Sequence, residues 1–167
     1  MRFYGIALAM SAFVLGACGG GDNAATTDTT TAAAPGAEAP AGGAAAAGTG
    51  TAAAVTGTVH EVRMIGDAQG FRFEPANFTV KQGDGVKFIM VSGAPHNVAF
   101  ENVPDAAKAQ LDANIPAADK MSELQTRYFQ TEGEEVTISF ANVPAGAYNY
   151  TCIPHAAMNM KGVITVE

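Results

Sequence analysis

Residues 146–166 read GAYNYTCIPHAAMNMKGVITV. The two ends of this stretch are rich in β-branched and aromatic residues, and we predict that each forms a strand. Between them, a short loop carries a thiol at Cys152, an imidazole at His155 and a thioether at Met160. Thiolate, imidazole and thioether groups are ligands that copper accepts. The stretch therefore predicts a sheet protein with a metal site at one end of the sheet.

Cys152 is the only cysteine in the C-terminal two thirds of the chain, since the other, Cys18, lies near the N-terminus. A thiol without a partner is a liability in an oxidising compartment unless a metal or a reaction uses it. Two histidines, one Cys and a long axial Met form the ligand set of blue-copper electron-transfer sites. His96 supplies the second imidazole from a loop between two other strands. We therefore predict one copper ion, Cu(I) or Cu(II), bound by His96, Cys152, His155 and Met160.

The rest of the chain after residue 57 consists mainly of short β-prone segments separated by turn signals such as Gln82-Gly83-Asp84-Gly85. Regularly spaced short strands are typical of an all-β sandwich or barrel. Residues 104–128 are richer in alanine and predict one or two helical turns. The predicted strands are 59–65, 71–73, 78–80, 86–91, 98–100, 135–140, 147–152 and 162–166.

Over residues 70–167 the chain resembles the cupredoxin family, and within it the plastocyanin-like, amicyanin-like and pseudoazurin-like proteins. The resemblance implies a Greek-key β-sandwich with one short helical segment and a type 1 copper site that shuttles single electrons between redox partners. It implies no catalytic residues, no enzyme activity and no small-molecule substrate. Four segments carry it: 78–84 (FTVKQGD), 94–100 (APHNVAF), 146–155 (GAYNYTCIPH) and 160–166 (MKGVITV).

The same resemblance assigns roles to residues around the ligands. It implies that the backbone N–H of Asn97 bonds the Cys152 sulfur and that the Asn97 side chain ties the two ligand loops together. Pro154 stands where some cupredoxins donate a second N–H to that sulfur, and proline has none. Fewer hydrogen bonds on the thiolate predict a reduction potential in the upper part of the family's range. The carbonyl of Pro95 is a candidate distant axial group.

The axial position has two candidates. Met160 matches the plastocyanin and pseudoazurin spacing from Cys152, and it stands two residues before Gly162 at the start of the last strand. Met158 matches the shorter amicyanin spacing, but the Gly162 register then fails. We favour Met160 and expect Met158 on an exposed apolar surface near His155. In the family, the edge of that loop histidine is the port through which electrons pass.

The N-terminus predicts export and a membrane anchor. A basic start is followed by an apolar stretch at 3–15, which matches a signal peptide and is too short to span a membrane. The leader ends Leu15-Gly16-Ala17-Cys18, which resembles a lipobox and implies cleavage after residue 17 and lipid on Cys18. The alternative is an ordinary signal peptide that contains a cysteine. We expect the protein on the periplasmic or cell-surface face.

Residues 18–56 are nearly all Ala, Gly, Thr and Pro. Such a segment has too few large apolar side chains to offset the entropy of ordering it. We therefore predict a signal peptide at 1–17, a disordered, flexible tether at 18–56 and one copper-binding domain at 57–167.

The chain carries 9 basic and 16 acidic residues, for a net charge of −7. This balance argues against nucleic acid as a partner and suits steering towards a basic protein. The expected partners are membrane or soluble redox proteins of the cytochrome or oxidase type, and the domain is expected to be a monomer. Glu132, Glu134 and Glu135 form either a solvated face or a docking patch.

Two other functions compete with electron transfer. A copper chaperone or store would favour an exposed, exchangeable site rich in Met and His, without a Cys-x-Pro-His loop. An enzyme such as a copper nitrite reductase needs further ligands, which a chain with only three histidines does not supply. The third histidine, His60, is expected to be structural or on the surface.

Overall fold

A computed structural model describes residues 50–167. The predicted leader, Cys18 and most of the predicted tether lie outside the described residues, so these assignments stay predictions. Within 50–167, no helix is long and apolar enough to cross a membrane.

The described residues form ten strands, one α-helix and one short 3₁₀ segment in the ligand loop. The elements are β1 Val59–Asp67, β2 Gly70–Glu74, β3 Asn77–Val80, β4 Gly85–Met90, β5 Ala99–Glu101, α1 Asp105–Asn114, β6 Lys120–Ser122, β7 Gln125–Thr126, β8 Glu135–Ser139, β9 Gly146–Thr151, the 3₁₀ segment Ile153–Met158 and β10 Lys161–Val166.

The strands form two sheets, of order β2-β1-β4-β8 and β3-β10-β9-β5-β7-β6. The pairs β1–β4 and β3–β10 are parallel, and the other pairs are antiparallel. One core of buried residues draws on both sheets. This arrangement confirms the predicted all-β, cupredoxin-like sandwich.

Alternation along the strands explains the core, because successive side chains of a strand point to opposite faces. In β4, Val86 and Phe88 are fully buried, whereas Lys87 between them is partly exposed. Tyr150 of β9 packs against Phe73, with ring centroids 4.7 Å apart. Its phenol donates a hydrogen bond to the carbonyl of Ala76. Tyr150 is therefore a core residue.

The segment at 104–128 holds more structure than the sequence predicted. Its helix, α1, has ten residues rather than one or two turns, and the small hairpin β6–β7 follows. The Asp112 carboxylate on α1 accepts hydrogen bonds from the backbone N–H of Leu124 and from Lys120 Nζ. This single side chain fastens the hairpin to the helix. Strands of two and three residues are too short to produce a periodic pattern.

The last residues of the predicted tether contact the domain. Gln110 donates from Nε2 to the Thr51 carbonyl at 2.7 Å, and the N–H of Ala53 donates to Asn114 Oδ1 at 2.9 Å. The N–H of Thr56 donates to the Gly83 carbonyl at 2.9 Å. The predicted boundary at 56/57 therefore lies within a segment that packs against the domain.

Strand register brings the two ligand loops together at one end of the sandwich. Ala99, at the start of β5, lies opposite Thr151, at the end of β9. His96 precedes β5 by a few residues and Cys152 directly follows β9, so both stand at this end. The 3₁₀ segment then turns the chain back into β10.

Candidate metal centre

Three of the predicted ligands converge on one point. The Cys152 sulfur lies 3.5 Å from His96 Nδ1 and 3.4 Å from His155 Nδ1, and the two Nδ1 atoms are 3.2 Å apart. The donors thus form a nearly equilateral triangle. Its centre is about 2 Å from each corner, close to metal bond lengths for imidazole nitrogen and thiolate. The residues present therefore fit a trigonal His₂Cys metal site.

His96 is oriented by the backbone before it. Its Nε2 donates to the Ser92 carbonyl at 2.8 Å, which fixes the proton on Nε2 and leaves Nδ1 free to bind a metal. The same carbonyl accepts the N–H of Gly66 on β1 at 2.9 Å. A Cβ on Gly66 would lie 2.8 Å from the Gly93 Cα, so this approach of strand and loop requires glycine. Sequence reasoning missed Ser92, since it acts through its carbonyl.

Burial sets the electrostatics of the three donors. Cys152 and His96 are fully buried, and His155 is 6% exposed. Burial lowers the pKa of His96, although the hydrogen bond to Ser92 opposes this shift. Burial also lowers the pKa of His155, and the neighbouring His96 lowers it further. Both imidazoles are therefore neutral at neutral pH, which is the form that binds metal.

Burial also raises the pKa of the Cys152 thiol, while hydrogen bonds from the backbone N–H groups of Asn97 and His155 oppose that rise. The His155 N–H also donates to the Cys152 carbonyl at 3.0 Å. The positive charge of a metal ion would favour the thiolate further.

Asn97 links the two ligand loops through its side chain. It is fully buried, and its Oδ1 accepts the N–H of Ile153 at 2.8 Å, directly after Cys152. Its Nδ2 has no hydrogen-bond partner among the described residues. Pro95 is partly buried, between Ala94, which is exposed, and His96, which is buried. Pro154 is partly buried in the 3₁₀ segment.

The two methionines of the loop differ sharply in burial. Met160 is fully buried, whereas Met158 is 50% exposed. The Met160 carbonyl accepts the N–H of Cys152 at 3.0 Å, and the Met160 N–H donates to the His155 carbonyl at 3.3 Å. Met160 is thus bonded through its backbone to both ligand residues of the loop.

One contact at the site has no counterpart in the sequence analysis. The ring of Phe71, in β2, stacks on the His155 imidazole with centroids 3.7 Å apart and an interplanar angle of 14°. The same ring meets His96 edge-on at 6.1 Å. No spacing rule connects residues 71 and 155, because their contact depends on how β2 folds against the ligand loop.

The third histidine lies outside the site. His60 Nε2 is 2.9 Å from the Asp84 carboxylate, which also accepts the N–H groups of Thr58 and Lys81. These bonds fasten the start of β1 to the turn before β4, so His60 has the structural role that we expected. The lipidation candidate Cys18 lies outside the described residues.

The model of the copper-binding plastocyanin/azurin family matches residues 60–167. The plastocyanin of Daucus carota is 32% identical over 107 residues, which cover 64% of this chain and 98% of the relative. That of Nostoc punctiforme is 32% identical over 109 residues, covering 65% and 73%. The solved structure of oxidised plastocyanin from Dryopteris crassirhizoma, at 31% identity, covers 65% of this chain and 100% of that one, with a TM-score of 0.48. The chain therefore belongs to the plastocyanin/azurin family of copper-binding proteins and is a blue copper electron carrier rather than an enzyme.

Proposed function

We propose that His96, Cys152, His155 and Met160 bind the single type 1 copper ion of this carrier. The observation that supports this most directly is the buried triangle of His96 Nδ1, His155 Nδ1 and the Cys152 sulfur, with edges of 3.2 to 3.5 Å. Copper, when bound, supplies a one-electron couple between Cu(II) and Cu(I). The chain's own residues hold the donors in place, exclude water and connect the site to a partner.

The ligands are held from outside the site, which suits electron transfer. Ser92 fixes the ring of His96, Asn97 ties its loop to Ile153, and Phe71 covers one face of His155. A donor set restrained in this way changes little when an electron arrives or leaves. Small rearrangement keeps the barrier to transfer low, and the burial of Cys152 excludes water from the thiolate.

Met160 is our candidate for the axial ligand. Its side chain is fully buried, and its backbone is bonded to both Cys152 and His155. Met158 is half-exposed and better placed to contact a partner, because methionine adapts to varied apolar surfaces. The carbonyl of Pro95 remains our candidate for a distant group on the opposite side.

We assign the electron port to His155 and the surface around it. Ile153 is 43% exposed and Met158 50% exposed in the same 3₁₀ segment, and Ala157 between them is exposed as well. Ala94 is exposed on the loop that leads to His96. A small apolar surface beside a ligand suits brief docking of a redox partner, since transient electron-transfer encounters bury little area.

The partner is proposed to be a membrane or soluble redox protein of the cytochrome or oxidase type, outside the cytoplasm. The N-terminal sequence supports a periplasmic or cell-surface location with a lipid anchor at Cys18. Labelled fatty acid should enter the protein in cells, and Cys18→Ser should abolish the incorporation. Equal labelling of the variant would contradict the anchor.

A redox cycle in the presence of a chelator tests the carrier against the copper-chaperone alternative. The copper-loaded protein is reduced, held with a Cu(I) chelator and reoxidised while its visible absorption is followed. A carrier keeps its copper, so the oxidised absorption should return in full over repeated cycles. Transfer of copper to the chelator on the first reduction would instead favour a chaperone.

A further inference from the structure

His96 has a second support besides Ser92. Its N–H donates to the Phe129 carbonyl at 3.1 Å, and the N–H of Phe129 donates to the His96 carbonyl at 2.7 Å. These reciprocal bonds form an isolated bridge outside the named strands. Phe129 is fully buried, so its position is well defined. The backbone position of His96 therefore depends on the segment that carries Phe129.

That segment is folded around the carboxylate of Glu134. Oε2 accepts the N–H groups of Gln130 and Thr131, at 2.6 and 2.7 Å, directly after Phe129. Oε1 accepts Arg127 Nη1 at 2.7 Å, and the Arg127 guanidinium lies 4.6 Å from the centroid of the Phe129 ring. Short hydrogen bonds to an ionised group are the strong kind. One side chain thus holds the backbone directly after Phe129 and the guanidinium of Arg127, two residues before it.

Glu134 also connects to the other support of His96. Its carbonyl accepts the N–H of Met90 at 2.8 Å, and the N–H of Gly133 donates to the Met90 carbonyl at 2.9 Å. Met90 ends β4, two residues before Ser92. Both supports of His96, at Phe129 and at Ser92, are therefore attached to the turn that Glu134 closes.

We propose that Glu134 is a positioning residue of the copper site, acting on His96 through Phe129 and the end of β4. This inference rests on the proposed role of His96 as a copper ligand. It separates Glu134 from the acidic cluster in which the sequence placed it. The Glu135 side chain is 55% exposed, and its ion pair with Lys87 spans 3.9 Å. Glu132 is exposed.

The test compares Glu134→Gln with Glu135→Gln in the copper-loaded protein. Each variant removes one negative charge at adjacent positions, so a general effect of charge on the site is matched. Only Glu134→Gln replaces an acceptor of three hydrogen bonds with an amide that offers a single oxygen. We expect Glu134→Gln to lose copper to a chelator about tenfold faster than the wild type. This is the lower end of the effects seen when a residue that orients a metal ligand is replaced. Its copper EPR spectrum should change, whereas Glu135→Gln should match the wild type in both measurements.

The inference is overturned if Glu134→Gln unfolds at a lower temperature but keeps the copper-loss rate and EPR spectrum of Glu135→Gln. Glu134 would then stabilise the turn without positioning His96. If Glu134→Gln does not fold, Glu134→Asp decides by the same comparison, because it keeps the charge. A wild-type protein that forms no blue copper centre would instead refute the proposed function.

Discussion

The tautomer of His96 is decided by one backbone carbonyl. Ser92 accepts the proton on Nε2 at 2.8 Å, so Nδ1 faces the sulfur of Cys152. On the other histidine, the stacked ring of Phe71 restricts the orientation of the imidazole. The donor atoms are therefore prepositioned by ordinary contacts, and the chemistry of the site depends on residues that bind no metal themselves.

The axial assignment is tested by Met160→Gln, with Met158→Gln as its matched control. An amide oxygen is a harder ligand than a thioether and favours Cu(II) over Cu(I), so the reduction potential should fall in the first variant. The half-exposed position 158 should tolerate the same change with an unaltered potential. Protein-film voltammetry measures both. A potential that falls only with Met158→Gln would assign the axial role to that residue instead.

Pro154→Ala tests how hydrogen bonding to the thiolate tunes the potential. The substitution offers an additional N–H near the Cys152 sulfur. The sulfur carries more negative charge in the reduced site than in the oxidised site, so this donor should stabilise the reduced state and raise the potential. The missing donor at Pro154 therefore favours a lower potential, which reverses the expectation drawn from the sequence. One hydrogen bond of ~1 kcal/mol corresponds to roughly 40 mV for a one-electron couple. We expect a shift of about this size. An unchanged or lowered potential would contradict the role given to Pro154.

Among the elements, strands were predictable and the insertion after β5 was not. In β4 and β8, buried side chains alternate with partly exposed ones along much of each strand, which produces a readable pattern. The hairpin β6–β7 has five strand residues, of which four pair. It is held by the Asp112 side chain, by the pairing of β7 with β5 and by the buried Leu124. Helix α1 is longer than predicted. Its length was underestimated because its buried face includes the polar Gln110 and Asn114, which weaken the apolar pattern.

Asn114→Ala tests whether α1 and the segment at 51–56 are integral to the domain. The buried Asn114 amide donates to the carbonyls of Ser139 and Ala141, and its Oδ1 accepts the N–H of Ala53. Truncation leaves these buried groups unpaired, which should cost about 2–4 kcal/mol in the free energy of unfolding. Urea unfolding measures this, and the exposed Asp105→Ala is the control. Equal stability of the two variants would mean that the segment contributes little.

For the whole molecule, the dependence of stability on pH in acid is set by carboxylates that are hydrogen-bonded in the folded state. Backbone N–H groups and Arg127 lower the pKa of Glu134 from 4.5 to about 2, and backbone N–H groups and His60 lower the pKa of Asp84. The unfolded chain then binds protons more readily than the folded protein. These carboxylates therefore contribute their full stability above the unfolded pKa, and this contribution is lost as the pH decreases. For Glu134 this loss extends from 4.5 down through about 2.

Urea unfolding of the metal-free protein across this range measures the effect. Glu134→Gln should show a shallower fall in stability with decreasing pH, whereas Glu135→Gln should keep the wild-type slope. Identical slopes in all three proteins would show that the Glu134 hydrogen bonds do not persist in solution.

The proposed ligands could be predicted from the sequence because copper demands particular residue types at particular spacings, and those of Cys152, His155 and Met160 fall in one short loop. His96 was also predicted from the sequence, but its proximity to Cys152 depends on the pairing of β5 with β9. Ser92, Phe71 and Glu134 act through a carbonyl, a stacked ring and a turn, which leave no linear signal.

The buried triangle of two imidazoles and one thiolate should bind a single copper ion. Titration of the purified protein with Cu(II), followed by visible absorption, tests it most directly. We predict an intense thiolate-to-copper band that saturates at one ion per chain and is absent in Cys152→Ser. A protein that stays colourless, or a band that Cys152→Ser retains, would contradict the account.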